Sequence, residues 1–237
     1  MRRFTCFLVL ACMVSLATAQ TKVPAPGEYV TEGGWGVLKV KRDKEKGLVF
    51  NLEAIGANGH SCSMDGQIRP DGRVDLEDSD PECRVALDPK PEGLDIREIG
   101  KQGACRYHCG MRASFEAVYR KPPPGCAPSA VEAKRKRFKA LYDARKLRDA
   151  LAVLAPVLQC EKLMWFQDAA WVRSDLAVTQ YFLDDAPGCL ATLKPLIDRN
   201  APIELPSGGP TDSETNAPLE KALLTNFRRC ARRATAR

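Results

Sequence analysis

The chain has 237 residues, of which 44% are hydrophobic and 28% are charged, a composition typical of globular proteins and not of disordered ones. Lys and Arg number 36 and Asp and Glu number 30, so the formal net charge at neutral pH is +6. So small an excess of positive charge does not indicate binding to nucleic acid, and we expect no such partner.

The N-terminal segment, residues 1–19, has the pattern of a secretory signal peptide. Two arginines precede an apolar run over residues 4–17, and Ala17-Thr18-Ala19 supplies the small residues of a cleavage site. The run is shorter than the roughly 20 apolar residues that a permanent membrane helix needs. We therefore predict cleavage after Ala19 and a periplasmic or secreted chain with no integral membrane anchor. A lipoprotein signal ending at Cys12 is the alternative.

Residues 20–121 show the alternation of a β-domain. Apolar side chains recur at every second position, at Leu38 and Val40 and then at Leu48 and Phe50, with charged residues between the two pairs. This pattern and the turn sequences that interrupt it predict about eight short strands joined by tight turns. We therefore predict an antiparallel meander that forms either a small barrel or a sandwich.

A proline-rich segment, residues 122–129, separates the β-domain from residues 130–237, where apolar side chains recur at helical spacing. The stretch 150–158 (ALAVLAPVL) aligns without gaps with the stretch 189–197 (CLATLKPLI), so that Leu151 matches Leu190 and Pro156 matches Pro195. An internal repeat of this kind is typical of stacked helical pairs. The sequence therefore predicts a two-domain α+β protein whose second domain is an all-α helical repeat.

Residues 137–154 (RFKALYDARKLRDALAVL) resemble a tetratricopeptide-type unit. Leu141, Tyr142 and Ala150 stand at the positions where the paired helices of such units cross. The period of the internal repeat departs from that of the family, so HEAT-like or Sel1-like pairs are the alternative. The resemblance implies stacked helices with a concave face that binds peptide segments.

The expected mature chain has eight cysteines, four in each part, and an even number in an exported protein indicates disulfides. They are Cys62, Cys83, Cys105, Cys109, Cys126, Cys160, Cys189 and Cys230. In the helical domain, two antiparallel helices that meet near residue 146 place Cys160 close to Cys126. Cys189 and Cys230 then form the remaining pair.

In the β-domain, the turn at residues 70–72 favours a Cys62–Cys83 bridge, which leaves Cys105 to pair with Cys109. The sequence is equally compatible in cysteine number with the crossed alternative, Cys62–Cys109 with Cys83–Cys105. Both pairings keep each disulfide within its own domain.

The stretch 103–115 (GACRYHCGMRASF) combines two cysteines with a histidine. Their order does not match the C-x-x-C-H motif of covalent haem or the C-x-x-C motif of thioredoxin-type centres. A zinc site built from His60, His108 and the nearby Cys62, Cys105 and Cys109 is the alternative to disulfides. Because an oxidising compartment favours disulfides, we predict no metal and no cofactor.

Residues 59–66 (GHSCSMDG) and 105–119 (CRYHCGMRASFEAVY) resemble an exported bacterial β-domain of the lysozyme-inhibitor-like type, which is associated with the LprI family. The resemblance covers about residues 26–121 and implies an exported, disulfide-stabilised β-domain. The loop with which C-type lysozyme inhibitors enter an active site has no match here. The resemblance therefore assigns no inhibitory role to particular residues.

Two groups of residues are candidates for binding a protein. Trp165 and Phe166 form an aromatic pair that either anchors a partner or fills the core between repeats. The turn at 75–82 is rich in carboxylates, which either attract a basic partner or simply lie in solvent. The candidates there are Asp75, Glu77, Asp78 and Asp80.

Basic helices at 134–137 and 228–233 offer a possible contact with a membrane surface, although a solvated helix face is the simpler interpretation. Motifs of serine hydrolases, zinc proteases and phosphate-binding loops do not occur, so we predict that the protein is not an enzyme. We expect a non-catalytic protein-binding module, as an inhibitor or immunity factor against an enzyme that attacks the envelope. A scaffold that docks an envelope complex is the alternative, and a cell-wall hydrolase with a carboxylate pair ranks third.

Overall fold

The computed structural model describes residues 23–56, 59–77, 81–197 and 213–236. An antiparallel β-region is followed by five helices, which confirms the α+β arrangement. Within these ranges no helix has the length and apolar character that crossing a membrane requires. The predicted signal peptide, residues 1–19, lies outside the described residues.

In the described part of the chain, eight strands form two antiparallel sheets. One sheet follows the chain from β1 to β5, and the other from β6 to β8. The strands are β1 (Gly27–Val30), β2 (Gly36–Asp43), β3 (Gly47–Ile55), β4 (Ser61–Ile68), β5 (Val74–Leu76), β6 (Val85–Lys90), β7 (Gly93–Glu98) and β8 (Ala117–Tyr119).

The alternation in the sequence sets the register of the large sheet. Leu38 lies opposite Leu52 and Val40 opposite Phe50, and all four side chains are buried. A shift by one residue would expose this whole set to solvent, because successive side chains point to opposite faces of a sheet. The predicted strand pattern is therefore present in β2 and β3.

The two sheets do not close into the barrel that was one of the two arrangements predicted. Among the described residues, isolated bridges connect their edges, at Val30–Arg120 and at Arg73–Ala86. The strands at these edges include β5 and β8, each of three residues, which are too short to continue a ladder from one sheet to the other. The sheets instead share one apolar core, in which Tyr119 is fully buried.

Five helices build the second part. They are α1 (Pro128–Asp143), α2 (Leu147–Leu154), α3 (Phe166–Phe182), α4 (Ala186–Leu193) and α5 (Ser213–Thr235). A 3-10 segment, Ala155–Leu163, follows α2 directly. The apolar pattern predicts a helix that continues to Leu158, but Pro156 has no backbone N–H to donate, and the α-helix ends before it.

The internal repeat is visible in the backbone. Arg145 after α1 and Asp184 after α3 both have positive φ, 61° and 63°, and the alignment that matches Leu151 with Leu190 also matches these two residues. After each of them, the next residue donates its N–H to the carbonyl oxygen five positions earlier, at 2.9 Å in both cases. This is the same Schellman-type helix end used twice. The pairs α1–α2 and α3–α4 are therefore two copies of one helical hairpin.

Helix α3 is buried on two sides and joins the two hairpins. Val172 and Leu176 pack into a core with residues of α1, α2 and the 3-10 segment. Ala170 and Ala177, on another side, pack into a second core with α4 and α5. Alanine at these positions allows the neighbouring helices to approach α3 closely.

The two disulfides predicted for the helical part are confirmed. Cys126 is bonded to Cys160, which ties the start of α1 to the 3-10 segment. Cys189 of α4 is bonded to Cys230 of α5. Both bridges connect consecutive cysteines within the helical part.

The pairing favoured for the β-domain is wrong, and the crossed alternative is correct. Cys62 is bonded to Cys109, and Cys83 is bonded to Cys105. The Cys62–Cys83 expectation required the β4–β5 ladder to extend to about residue 80, but β5 ends at Leu76. The strand that carries Cys62 instead meets Cys109 in an isolated bridge.

Contacts at Gly34 and Glu28 are among those that join the β-domain to the helices. Gly34, at φ +64°, lies so close to the chain at Met164 that a Cβ atom there would be 2.3 Å from the Met164 carbonyl carbon. Glu28 of β1 accepts hydrogen bonds from the Ser129 backbone N–H at 3.1 Å and from its hydroxyl at 2.8 Å. A carboxylate at this end of α1 is favourable, since the first N–H groups of a helix lack partners within the helix.

We predict that non-reduced peptide mapping of the purified chain will recover these four linkages, with none between the two domains. The measurement is mass spectrometry of proteolytic fragments under conditions that prevent thiol exchange. A peptide that links Cys62 to Cys83 would contradict the observed connectivity.

Gly34→Ala should destabilise the protein by about 1–3 kcal/mol more than Gly33→Ala, because the added methyl group would push the helices away from the β-domain. Gly33 is a matched control, since it also has positive φ but a Cβ atom there would meet nothing closer than Trp35, at 3.7 Å. Urea denaturation of the two variants measures the difference. Equal loss of stability would mean that the close approach at Gly34 does not hold the domains together.

Candidate functional site

A groove with a volume of about 760 Å³ lies where the β-domain meets the helices. Gly34 and Val37 line it from the β-domain, and residues of α1, α3 and the chain at 163–165 line it from the helical part. This size is within the range of sites that bind small molecules or parts of peptides. Gly34 and Val37 therefore complete a groove that is lined mostly by the helical part.

The walls of the groove are apolar and aromatic. Val131, Phe138 and Tyr142 recur on α1 at a spacing that places them on one face of the helix. The rings of Phe138 and Tyr142 are in contact, with their centroids 5.6 Å apart. Trp165 and Val178 also line the groove, from the start and the end of α3.

Six of the charged side chains in the groove are neutralised by one another. Their three ion pairs are Arg135–Asp168 at 2.8 Å, Glu132–Lys136 at 2.6 Å and Lys139–Asp143 at 2.7 Å. Most of these side chains are exposed, so each pair contributes little to stability. Their effect is to leave the rim of the groove polar without a strong excess of either charge.

Asp175 is the exception among the described residues that line the groove. Its carboxylate makes no hydrogen bond or ion pair with any described residue, and Thr179 donates to its backbone carbonyl instead. Burial raises the pKa of Asp175 to about 6, and the charge of Arg135 offsets part of that shift. Burial of the phenol also raises the pKa of Tyr142, the charges of Arg145 and Arg229 offset part of that rise, and the charge of Asp175 adds to it.

Of the aromatic pair Trp165 and Phe166, only Trp165 lines the groove. Trp165 lines it, and its ring contacts that of Phe166, with centroids 4.8 Å apart. Phe166 is half-buried behind Trp165 and is not among the residues that line the groove. Trp165 is therefore placed where a partner can touch it.

The acidic residues near 75–82 lie on the β-domain, away from the groove. Asp75 makes an ion pair with Arg69, and Glu77 makes one with Lys46 at 2.7 Å. Asp78 and Asp80 lie outside the described residues. The two described carboxylates are thus already neutralised within the β-domain.

A second exposed surface surrounds the disulfide-bonded segment that contains Cys105 and Cys109. Tyr107 is 84% exposed and Met111 is 76% exposed, which is unusual for large apolar side chains. Gly56 packs against the backbone at Arg112, so the end of β3 borders the same segment. The disulfides of Cys105 and Cys109 fix the position of this segment against the sheets.

The cysteines considered as zinc ligands are all oxidised, since Cys62, Cys105 and Cys109 are in disulfides. A thiolate is needed to bind zinc, so these sulfurs are not available. Within the ranges that the structure describes, no three His, Cys, Asp or Glu side chains are grouped as metal ligands.

Sequence reasoning missed Asp175. A single aspartate in a helix is ordinarily a solvated residue, and no motif surrounds it. A signal was nevertheless present, because α3 has apolar or small residues on every side, which is typical of a central helix. A carboxylate in such a helix is partly removed from water where it lies against neighbouring helices, as Asp175 does, but not at the more exposed Asp168.

Comparison with protein-family models, with curated protein sequences and with solved structures found no match to this chain. The resemblances to lysozyme-inhibitor-like and tetratricopeptide-type domains therefore stay predictions. The proposed function therefore depends on the geometry and charge of the groove.

Asp175→Asn should raise the free energy of unfolding by about 1–3 kcal/mol at about pH 8. The folded protein holds the Asp175 proton more tightly than the unfolded chain does, so the ionised carboxylate destabilises the fold once the pH exceeds its folded pKa of about 6. The gain should shrink as the pH falls from about 6 towards about 4, because the folded carboxyl group becomes protonated, and it should vanish below about pH 3, where the group is protonated in both states. Denaturation at a series of pH values measures it.

Asp168→Asn is the matched control, because it removes a carboxylate from the same helix and the same groove but one that is paired with Arg135. We expect no stabilisation from this change. If both variants gained stability equally at high pH, relief of general negative charge would explain the result and the burial of Asp175 would not.

Proposed function

We propose that this protein is an exported, non-catalytic protein-binding module and that its groove receives a segment of the partner. The observation that carries the proposal is the groove itself, which has aromatic walls and a polar rim. The four disulfides suggest an oxidising environment outside the cytoplasm, which supports export. The periplasm or the secreted fraction is the proposed location.

The use of α1 and α3 as walls supports binding of a peptide segment. They are the first helices of the two hairpins, so the groove runs along two helices that begin successive hairpins. Large aromatic side chains such as Trp165 and Tyr142 are the residues that most often dominate binding energy at protein interfaces. Assignment of the hairpins as tetratricopeptide-like is part of this proposal.

An inhibitor or immunity factor is the more specific form of the proposal. The exposed Tyr107 and Met111 favour it, because two disulfides hold this segment in place before any partner binds. Preorganisation of this kind reduces the entropy lost on binding. The lysozyme-inhibitor-like character of the β-domain belongs to the same proposal, and a scaffold for an envelope complex is the alternative.

A cell-wall hydrolase is the third candidate, and Asp175 is the observation in its favour. A carboxyl group with a raised pKa in a groove is a typical general acid, and Asp168 on the same helix stays next to Arg135. Turnover of purified peptidoglycan by the wild type, lost in Asp175→Asn, would replace the binding proposal with this one. We expect no turnover.

Trp165→Ala should weaken binding to the partner by about 2 kcal/mol or more, because it removes an aromatic wall of the groove. The measurement is retention of envelope proteins on the immobilised chain, followed by titration of the protein that is retained. A soluble hydrolase as the retained partner would favour the inhibitor, and a multiprotein complex would favour the scaffold.

Trp171→Ala is the control, since Trp171 packs against the core of α3, α4 and α5 and does not line the groove. It should reduce stability by about 3 kcal/mol and leave partner binding intact while the protein is folded. A partner that binds both variants as tightly as the wild type would show that the groove is not the binding site.

A further inference from the structure

The carboxylate of Asp175 has no cation of its own among the described residues that line the groove, although the charges of Arg145 and Arg229 act on Tyr142 from outside that lining. Among its described lining residues, every basic side chain is already in an ion pair with a carboxylate other than that of Asp175. Arg135 lies near enough to act on Asp175, but its guanidinium is bonded to Asp168. An occupant that complements this groove therefore carries a positive charge.

The surroundings of Asp175 define the shape of that occupant. Tyr142 and Phe138 stand on the facing wall, and Val178 lies one helical turn beyond Asp175 on α3. Apolar walls beside a carboxylate suit a side chain with an alkyl stem and a charged end, which are the two parts of lysine and arginine. The aromatic faces add a favourable cation–π contribution.

The position of Asp175 is not explained by stability. An ionised, partly buried carboxylate without a partner lowers the stability of the fold, and a neutral residue of the same size would not. Such a group is expected where a ligand supplies the missing charge. By contrast, Asp168 has Arg135 as its own partner and needs no ligand.

We infer that the groove binds a lysine or arginine side chain of a protein partner, with its cationic end against the carboxylate of Asp175 and its alkyl stem between Tyr142, Phe138 and Val178. This inference rests on the proposed function, since it names the chemistry of the segment that the groove receives. An acidic segment is disfavoured, because it would place its charge beside Asp175 with no described free cation in the groove to receive it.

The test uses selection from a library of random heptapeptides displayed on phage, with the purified, disulfide-bonded chain as bait. Wild type and Asp175→Asn are used in parallel. We expect lysine or arginine to be enriched at one position of the peptides that the wild type selects, and this enrichment to be lost with Asp175→Asn. The asparagine variant is nearly isosteric and should fold at least as stably as the wild type.

Asp75→Asn is the matched control, because it removes one carboxylate from the β-domain, where it is paired with Arg69. The enrichment should survive this change. The formal net charge of the whole chain is positive, so general attraction of basic peptides is not expected. Enrichment that depends on Asp175 but not on Asp75 supports the inference.

A selected peptide and its norleucine version, in which the basic residue loses its charge, are then titrated against wild type and Asp175→Asn. We expect the change to norleucine to weaken binding to the wild type by about tenfold or more, and binding to the variant by about threefold or less. Equal losses would overturn the inference. Tight peptides without a basic residue would also overturn it but leave the proposed function standing, whereas selection of no peptide at all would count against both.

Discussion

The position of the β-domain against the helices depends on one close approach. Gly34 has no side chain, and the backbone at Met164 occupies the space that a Cβ atom would need. Glu28 adds a second link by accepting hydrogen bonds at the start of α1. Because Gly34 lines the groove together with residues of α1 and α3, this junction brings the β-region and the helices to one groove, which is the proposed binding site.

Stability and the proposed binding make opposite demands at Asp175. The neighbouring carboxylate of Asp168 is paired with Arg135, whereas that of Asp175 has no such pair among the described residues. Asp168 on helix α3 is half-exposed and paired, whereas Asp175 on the same helix is partly removed from water even without a partner. The carboxylate of Asp175 therefore lowers the stability of the free protein, and a bound cation would offset the free-energy cost of its desolvation.

Local patterns predicted most of the architecture, and contacts distant in sequence account for the rest. Alternation at Leu38 and Val40 predicted the sheet, and the repeated apolar stretch predicted the paired hairpins, because both depend on periodicity alone. The bridge from Cys62 to Cys109 depends on where a short strand ends, which periodicity does not define. The groove was missed for a similar reason, since Asp175 acquires its environment only when α1 packs opposite α3.

The arrangement of the four bridges has a consequence for maturation. In the helical part each bridge joins consecutive cysteines, so a chain oxidised in the order of its synthesis reaches the native pairs directly. In the β-domain the Cys83–Cys105 bridge is nested inside Cys62–Cys109, and oxidation in order would join Cys62 to Cys83 first. Native connectivity there then requires thiol–disulfide exchange, so the β-domain depends on a disulfide isomerase or on slow rearrangement in a way that the helical part does not.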